Sequence, residues 1–255
     1  FDVPPLLSNP GLAAAQNLNS YYVYVRARDD VGNYSPFVAG IKVDNTLVAT
    51  VLGNPGLPDG GPTAGFFGIV ASAKGSVNND GLDDLVMGGS AANNNVAFVY
   101  FGAPDAGLSS ANRQAIVCPA CAANDLFGSE VSMGNAGDDG SGAKSDILVG
   151  ARGAARVYMF FGSGATGTID PTNFVTFQGV AGQELGRTAQ FLEDINGDGI
   201  GEVLLMAPRV NTDRGRGFLF YGRSITAWKA MTQPINPLTT ADRIIEGPTQ
   251  GAVTV

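Results

Sequence analysis

Residues 184–224, "ELGRTAQFLEDINGDGIGEVLLMAPRVNTDRGRGFLFYGRS", decide the fold because the same pattern occurs twice earlier in the chain. The earlier copies begin at Phe66 and Leu126, and all three contain an apolar run, a polar Gly/Asp/Asn loop, a second apolar run and a third. Each copy ends its third run on a glycine, and these glycines lie 60 residues apart, at Gly102, Gly162 and Gly222. A fixed period of this length is typical of repeat architectures, so we predict three copies of one structural unit.

The apolar runs predict strands rather than helices. The third runs, "VAFVYFG" at 96–102 and "RVYMFFG" at 156–162, are apolar at nearly every position. A strand of this kind must be covered on both faces. Small antiparallel sheets stacked between similar neighbours provide that cover, as in the blades of a β-propeller. The predicted fold class is therefore all-β, with blades of four-stranded antiparallel sheets.

The three units resemble FG-GAP repeats, the blades of integrin α-chain propellers and of many bacterial surface proteins. The "FG" pair stands at Phe67-Gly68 and Phe127-Gly128, and as Leu185-Gly186 in the third unit. The "GAP" element is kept only loosely, at 88–90, 150–152 and 206–208. The resemblance covers about residues 61–255 and implies a propeller of about seven blades, whereas only three units and the start of a fourth are visible. We therefore expect a partial or incomplete ring.

Charge and composition exclude several classes of function. The 255 residues carry a net charge of −8, which argues against nucleic acid as a partner because phosphate binding needs a basic surface. The chain has no histidine, so it lacks the usual general base and the commonest zinc ligand. No run approaches the roughly 20 apolar residues of a membrane span. The first residue is Phe1 rather than Met, and we expect a processed product or a piece of a longer chain.

The polar loop of the third unit has the composition of a calcium site. Asp194, Asn196 and Asp198 alternate, and Glu202 follows. Alternating residues in a tight loop direct their oxygens to one centre, and Ile200 can add its backbone carbonyl, which gives the several oxygen ligands that Ca²⁺ prefers. An acid at the ninth loop position resembles FG-GAP loops, whereas an EF-hand needs its glutamate at the twelfth. The alternative is a solvated turn rich in Asn, Asp and Gly.

The corresponding loop of the first unit has only two aligned carboxylates, so we expect it to bind calcium more weakly. Its candidate ligands are Ser76, Asn78, Asp80, Leu82 (through its carbonyl) and Asp84.

The second unit keeps Asp138 and Asp146 at the same separation, but glycines occupy the two positions between them, at Gly140 and Gly142. Its loop is either a weak calcium site or a degenerate turn. In all three units the expected role of an ion is structural, because protein oxygens fill its coordination shell.

The two cysteines, Cys118 and Cys121 in "VCPACAA", form a CxxC pair. Such a pair can be a redox motif, half a zinc site or a small disulfide loop. No second pair completes a zinc site, and no βαβ pattern accompanies the motif. We expect a short disulfide loop formed in an oxidising compartment, with two free thiols as the alternative.

Residues 20–44, "SYYVYVRARDDVGNYSPFVAGIKVD", differ from the repeats. They resemble the last two strands of a fibronectin type III domain, in which a tyrosine-rich strand leads to the spacing seen at Ala27, Asp29, Gly32, Asn33 and Ser35. A generic β-hairpin is the alternative. The predicted organisation is the C-terminal part of a fibronectin type III-like domain at 1–45, a Gly/Pro-rich linker at 46–62 and propeller blades at 63–255.

The resemblance implies an extracellular, calcium-stabilised module of the cell surface that recognises a protein or glycan through its loops and has no catalytic activity. A structural subunit of a surface filament or coat, formed by self-assembly, is an alternative, since an open arc of blades exposes apolar faces. A second alternative is an accessory propeller of a polysaccharide- or lipid-active enzyme.

A small basic loop lies between two predicted strands of the third unit, at Arg209, Arg214 and Arg216. These arginines can contact an acidic glycan or a partner, or they can be solvated residues of an ordinary loop.

Overall fold

A computed structural model describes residues 20–23, 41–44, 66–72, 75–91, 94–103, 112–138, 144–163, 168–210 and 213–248. The chain divides into two compact units, Phe1–Asn54 and Pro55–Val255. In the first, strand β1 (Ser20–Val23) pairs antiparallel with β2 (Ile41–Asp44). The fibronectin-like positions 27–35 and the linker at 46–62 lie outside the described residues, so both remain predictions.

The described residues of the second compact unit form three four-stranded antiparallel sheets in chain order. The first sheet consists of β3 (Phe66–Ser72), β4 (Leu85–Ala91), β5 (Asn94–Tyr100) and β6 (Arg113–Val117). The chain continues with β7 (Phe127–Gly134), the two-residue β8 (Gly137–Asp138), β9 (Asp146–Ala151), a 3-10 turn (Arg152–Ala154), β10 (Arg156–Phe160) and β11 (Phe174–Gln178). Strands β7, β9, β10 and β11 form the second sheet.

The third sheet consists of β12 (Thr188–Leu192), β13 (Glu202–Ala207), β14 (Arg216–Phe220) and β16 (Arg243–Glu246). Three short elements lie between β14 and β16 in the chain: the two-residue β15 (Arg223–Ser224), helix α1 (Ile225–Ala230) and helix α2 (Pro237–Thr240). Strand β15 pairs in parallel with β8, and the other four strands form the sheet. Each sheet corresponds to one sequence repeat. None of the three is closed, since the two end strands of each sheet do not pair with each other. The prediction of an all-β, incomplete propeller-like arrangement is confirmed.

The second sheet is buried on both of its faces. Val157 and Met159 of β10 belong to the apolar core shared with the third sheet. Tyr158 and Phe160 belong to the core shared with the first sheet. All four are at most 1% exposed, and each buried apolar side chain of this size stabilises the fold by about 1.5–3 kcal/mol. This double burial explains why the third run of the repeat lacks the alternation of a half-exposed strand.

The glycine of the "FG" pair lies at a close approach between neighbouring sheets. Gly128 and Gly186 both have φ of +87°, a left-handed conformation that only glycine adopts without strain. A Cβ on Gly186 would lie 2.4 Å from the carbonyl oxygen of Arg156 in the preceding sheet, and one on Gly128 would lie 2.8 Å from that of Val96. The residue before each glycine, Phe127 or Leu185, is fully buried. The pair therefore works as an apolar anchor beside a point of backbone contact.

A hydrogen bond to a serine hydroxyl forms a second link between neighbouring sheets, and it occurs at both junctions. The backbone N–H of Met133 donates to Ser72 Oγ at 3.0 Å, and that of Phe191 donates to Ser132 Oγ at 3.1 Å. Each bond joins the edge strands that begin two successive sheets in the sequence, β3 with β7 and β7 with β12. The period of the sequence thus corresponds to a period of contacts, which fixes how each sheet packs on the last.

Candidate metal centre

The third loop joins β12 to β13 and forms a tight turn made by its own side chains. Asp194 accepts hydrogen bonds from the backbone N–H groups of Gly197 (2.6 Å), Asp198 (3.1 Å) and Gly199 (2.8 Å). Asp198 accepts one from the N–H of Ile200 at 2.9 Å. These bonds, led by the one from Gly199, hold the pKa of Asp194 below its ordinary value. The first acid of the loop is therefore ionised over a wide pH range.

Three carboxylates of this loop converge. Ligand oxygens of Asp194, Asp198 and Glu202 all lie within 4.8 Å of one another, a group that can hold a metal ion. Asp194 and Asp198 are exposed, whereas Glu202 is fully buried at the start of β13. Burial, together with the negative charges of Asp194 and Asp198, raises the pKa of Glu202 against the lowering effect of its hydrogen bond from Ile195.

Glu202 provides the observation that fits a cation. Its Oε2 accepts the backbone N–H of Ile195 at 2.9 Å, but its buried Oε1 has no hydrogen-bond partner. An unpaired buried carboxylate oxygen is costly unless a cation or a donor meets it. A hard cation such as Ca²⁺, which prefers carboxylate and carbonyl oxygens, suits this donor set. Asn196 and Ile200, predicted as further ligands, lie in the same turn, where the amide of Asn196 donates to Asp198 at 2.8 Å.

The first loop has the same backbone arrangement with different side chains. Asp80 accepts the N–H of Leu82 at 2.9 Å, as Asp198 does from Ile200. Ser76 donates through its hydroxyl to Asn78 Oδ1 at 2.8 Å, and Asn78 donates through its amide to Asp80 Oδ2 at 3.0 Å. Three of the four predicted side-chain ligands of this loop, Ser76, Asn78 and Asp80, are thus brought together and bonded to one another.

The acid that closes the first loop differs from Glu202. Asp84 is buried, and its Oδ2 accepts the N–H of Val77 at 2.7 Å while its Oδ1 accepts that of Gly102 at 2.9 Å. Burial raises the pKa of Asp84, although the hydrogen bonds from Gly102 and Val77 act in the opposite direction. Both oxygens therefore already have partners, which tie the loop to the end of β5.

Strand register shows which residue of the second unit occupies the first loop position. Gly134 pairs with Asp146, as Leu192 pairs with Glu202, so Ala136 is the counterpart of Asp194. The loop from Ala136 to Asp146 is two residues longer than the loop from Asp194 to Glu202. The predicted alignment had placed Asp138 at this position.

The second loop is closed by protein contacts. Both oxygens of the buried Asp146 accept backbone N–H groups, from Ala136 (3.0 Å), Gly137 (2.7 Å) and Gly162 (3.0 Å). The backbone of Asp138 pairs with Ser224 across β8 and β15. The proposed ligand Asp146 therefore joins the loop to the end of β10, as Asp84 does in the first unit.

A segment that the repeat pattern did not reveal packs against the start of the second loop, at Ala136. Trp228 of helix α1 is fully buried and donates through Nε1 to the carbonyl of Ala136 at 2.7 Å. The guanidinium of Arg223 lies 4.6 Å from the centre of the Trp228 ring, close enough for a cation–π contact. The one tryptophan of the chain, in "ITAWKA", was the available sequence signal for this packing.

Cys118 and Cys121 are joined by a disulfide in the structure. The short loop that they close connects the first two sheets. Asn95 of β5 donates through its amide to the carbonyl of Ala122 at 2.8 Å, and Arg156 of β10 donates to that of Ala120 at 2.8 Å. Both cysteines pack against the core between those sheets.

The architecture defines an all-β, propeller-like class of protein with a candidate metal loop at the end of its third sheet. No family model matches the chain. Over 98 residues, 37% of this chain, the sequence is 33% identical to integrin alpha-PS5 of Drosophila melanogaster. That match covers 10% of the integrin chain, so the similarity concerns a small part of a much longer protein. In the part of the chain that the structure describes, no helix has the length and apolar character needed to span a bilayer.

Proposed function

We propose that this chain is part of an extracellular recognition module built from FG-GAP propeller blades, which binds a protein or glycan at the cell surface. The carboxylate group of Asp194, Asp198 and Glu202, with its unpaired buried oxygen, carries the proposal. The similarity to part of integrin alpha-PS5 and the three stacked sheets support it. A fibronectin type III-like piece before residue 46 belongs to the same proposal.

Calcium has a structural role in this proposal. A bound Ca²⁺ would neutralise three carboxylates whose mutual repulsion otherwise opposes folding. The third loop is also joined to the second, because Gly201 donates its N–H to the carbonyl of Asn135. Ordering the third loop would therefore order the junction between the second and third sheets. Asn196 and the carbonyl of Ile200 complete the proposed ligand set, and Ser76, Asn78, Asp80, the Leu82 carbonyl and Asp84 form a weaker second set.

The role is one of binding rather than catalysis. The chain has no histidine, and among the described residues the carboxylates that converge are those of the proposed metal site. The loops at the other end of the sheets are the natural place for ligand contacts, because a rigid scaffold positions them.

Isothermal titration calorimetry tests the metal part of this proposal. We expect one calcium site of highest affinity, which Asp198→Asn removes without changing the fold seen by circular dichroism. The recognition part is tested by probing arrayed extracellular-matrix proteins and glycans with the labelled chain. Saturable binding to at least one of them that chelator abolishes is expected. Binding that chelator leaves undiminished would argue against a calcium-stabilised module.

One observation favours self-assembly as a second function. On the outer face of the third sheet, Gly217 separates Met206 from Ile245, and Leu204 lies beside them. Ile245 is 55% exposed, so this face presents apolar surface to solvent. Light scattering separates the two functions, since a monomeric particle at micromolar concentration contradicts a filament or coat subunit.

A further inference from the structure

A group of charged side chains lies at the end of the third sheet remote from the metal loop. Glu184 and Arg187 precede β12, and Arg209 follows β13. These two strands are antiparallel, so the three residues lie at the same end of the sheet, opposite Glu202. Arg187 Nη1 donates to Glu184 Oε2 at 2.9 Å, and Arg209 Nε donates to Glu184 Oε1 at 2.6 Å. One carboxylate therefore holds two guanidinium groups side by side.

Among the described residues, each of the two arginines donates one side-chain hydrogen bond, to Glu184. The hydrogen bond from Arg187, followed by that from Arg209, lowers the pKa of Glu184, so this carboxylate stays ionised and holds both groups in place. A guanidinium has five N–H donors, and Glu184 takes one from each. The side chains are 51% and 53% exposed, so the remaining donors can reach a ligand.

The second unit shows that the fold does not require these charges. The N–H of Ser129 donates to the carbonyl of Leu126 at 3.1 Å, as that of Arg187 does to Glu184 at 3.1 Å.

A second pair of backbone bonds extends this equivalence. The N–H of Gly153 donates to the carbonyl of Asp125 at 3.0 Å, as that of Arg209 does to Gln183 at 3.3 Å. The second unit thus builds the same turns with a leucine, a serine and a glycine where the third has Glu184, Arg187 and Arg209. The charged trio is an addition to a backbone that forms without it.

A depression of about 460 Å³ lies beside these arginines, lined by Arg187, Pro208, Arg209 and Asp213. It is open to solvent, so a ligand can reach it directly. We propose that this depression binds a single carboxylate, presented by a protein segment, between Arg187 and Arg209. The proposal names the ligand class of the recognition module proposed above and rests on it. Two adjacent guanidinium groups match a carboxylate, since each can form paired N–H···O bonds.

Charge favours a protein segment with one acid over a polyanionic glycan. The chain has a net charge of −8, which repels an extended polyanion. Glu184 and Asp213 balance the charges of the two arginines, so a single carboxylate is held by their remaining N–H donors rather than by a net positive charge. Asp213 on the wall of the depression disfavours a second anion. Its carboxylate can instead accept N–H groups from the backbone of a bound peptide.

A pair of short fluorescent peptides tests the proposal on the whole chain in calcium. One peptide contains a single Asp between Gly and Ser residues, and the other has Asn in its place. We expect the Asp peptide to bind at least about tenfold more tightly, the difference typical of one charge-assisted hydrogen bond. Equal binding of the two peptides, or binding of neither, would overturn the proposal without any need for a variant.

Variants then locate the site. Arg187→Gln with Arg209→Gln should abolish the preference for Asp, whereas Arg214→Gln, an exposed arginine of the same loop outside the depression, should preserve it. An equal loss in the Arg214 variant would show general charge attraction instead. Tighter binding of a uronic-acid oligosaccharide than of the Asp peptide would also overturn the proposal. Calorimetry with calcium on the same samples reports separately on the metal site, so the two proposals can fail independently.

Discussion

The first and third loops share a backbone but differ in the oxygens that they leave free. In both, the sixth position is a glycine with a left-handed backbone, Gly81 with φ of +83° and Gly199 with φ of +88°. In the first loop the closing acid, Asp84, has hydrogen-bond partners on both oxygens, whereas in the third Glu202 has a buried oxygen without one. The two loops also differ in sequence, since the closing acid of the third is a glutamate and the carboxylate of Asp194 replaces the hydroxyl of Ser76.

This comparison separates the shape of the loop from its capacity to bind an ion. Side-chain-to-backbone bonds of Asp and Asn form the turn in both loops, as in other Asx-rich turns. The same turn therefore forms with two different numbers of carboxylates. The third loop differs from the first in having three converging carboxylates and a buried carboxylate oxygen without a hydrogen-bond partner. The second loop differs most from the third, because Asp146 accepts backbone N–H groups and the backbone of Asp138 pairs with β15.

The largest expected effect is on calcium affinity. Glu202→Gln should weaken binding about a hundredfold, because affinity in oxygen-ligand sites follows the number of ligand charges over several orders of magnitude. Calorimetric titration measures this directly. Asp80→Asn in the first loop is the matched control and should leave the tightest site unchanged. Equal losses in both variants would remove the distinction between the loops.

Removal of calcium should lower the melting temperature. At a hundredfold excess over its dissociation constant, a ligand that binds only the folded chain stabilises it by about 2.7 kcal/mol. For a chain of this size that corresponds to about 5–10 °C. Scanning calorimetry with and without chelator provides the measurement. The shift should vanish in Glu202→Gln, and a chelator-independent melting curve of the unmodified chain would contradict a structural ion.

The first loop should gain affinity when it is made to resemble the third. Ser76→Asp places a third carboxylate beside Asp80 and Asp84, and we expect about a tenfold increase in calcium affinity at that loop. The measurement is made in the Glu202→Gln background, where the third loop contributes little. No gain would indicate that the paired oxygens of Asp84, rather than the missing charge, limit binding.

The smallest expected effect tests whether the two backbones are equivalent. A Cβ at Gly81 or Gly199 would meet no atom within 4 Å, so the only cost of alanine is the left-handed conformation. We expect each substitution to lower the free energy of unfolding by about 1–2 kcal/mol. Urea denaturation of the calcium-free chain gives both values. A large difference between them would show that the loops are held differently.

Local pattern was enough to predict the strands and the third loop. The apolar third runs around Tyr100 and Tyr158 required cover on both faces, and the 60-residue period required similar neighbours to provide it. The alternation of Asp194, Asn196 and Asp198 is likewise readable, because residues two apart in a tight turn come together without help from distant parts of the chain. The second loop contains an insertion that its local pattern does not show, so Asp138 was aligned at the position that Ala136 occupies.

The sequence by itself determined the repeated units, their all-β character and the position of the acidic loop, since these depend on periodicity and on contacts within a few residues. Only the tertiary structure decided which acids are already satisfied, because the partners of Asp84 and Asp146 come from Gly102 and Gly162 at the ends of other strands. It also brought Arg209 to Glu184 across 25 positions. Hydrogen-bond satisfaction and charge pairing depend on distances between remote segments, and packing of the sheets sets those distances.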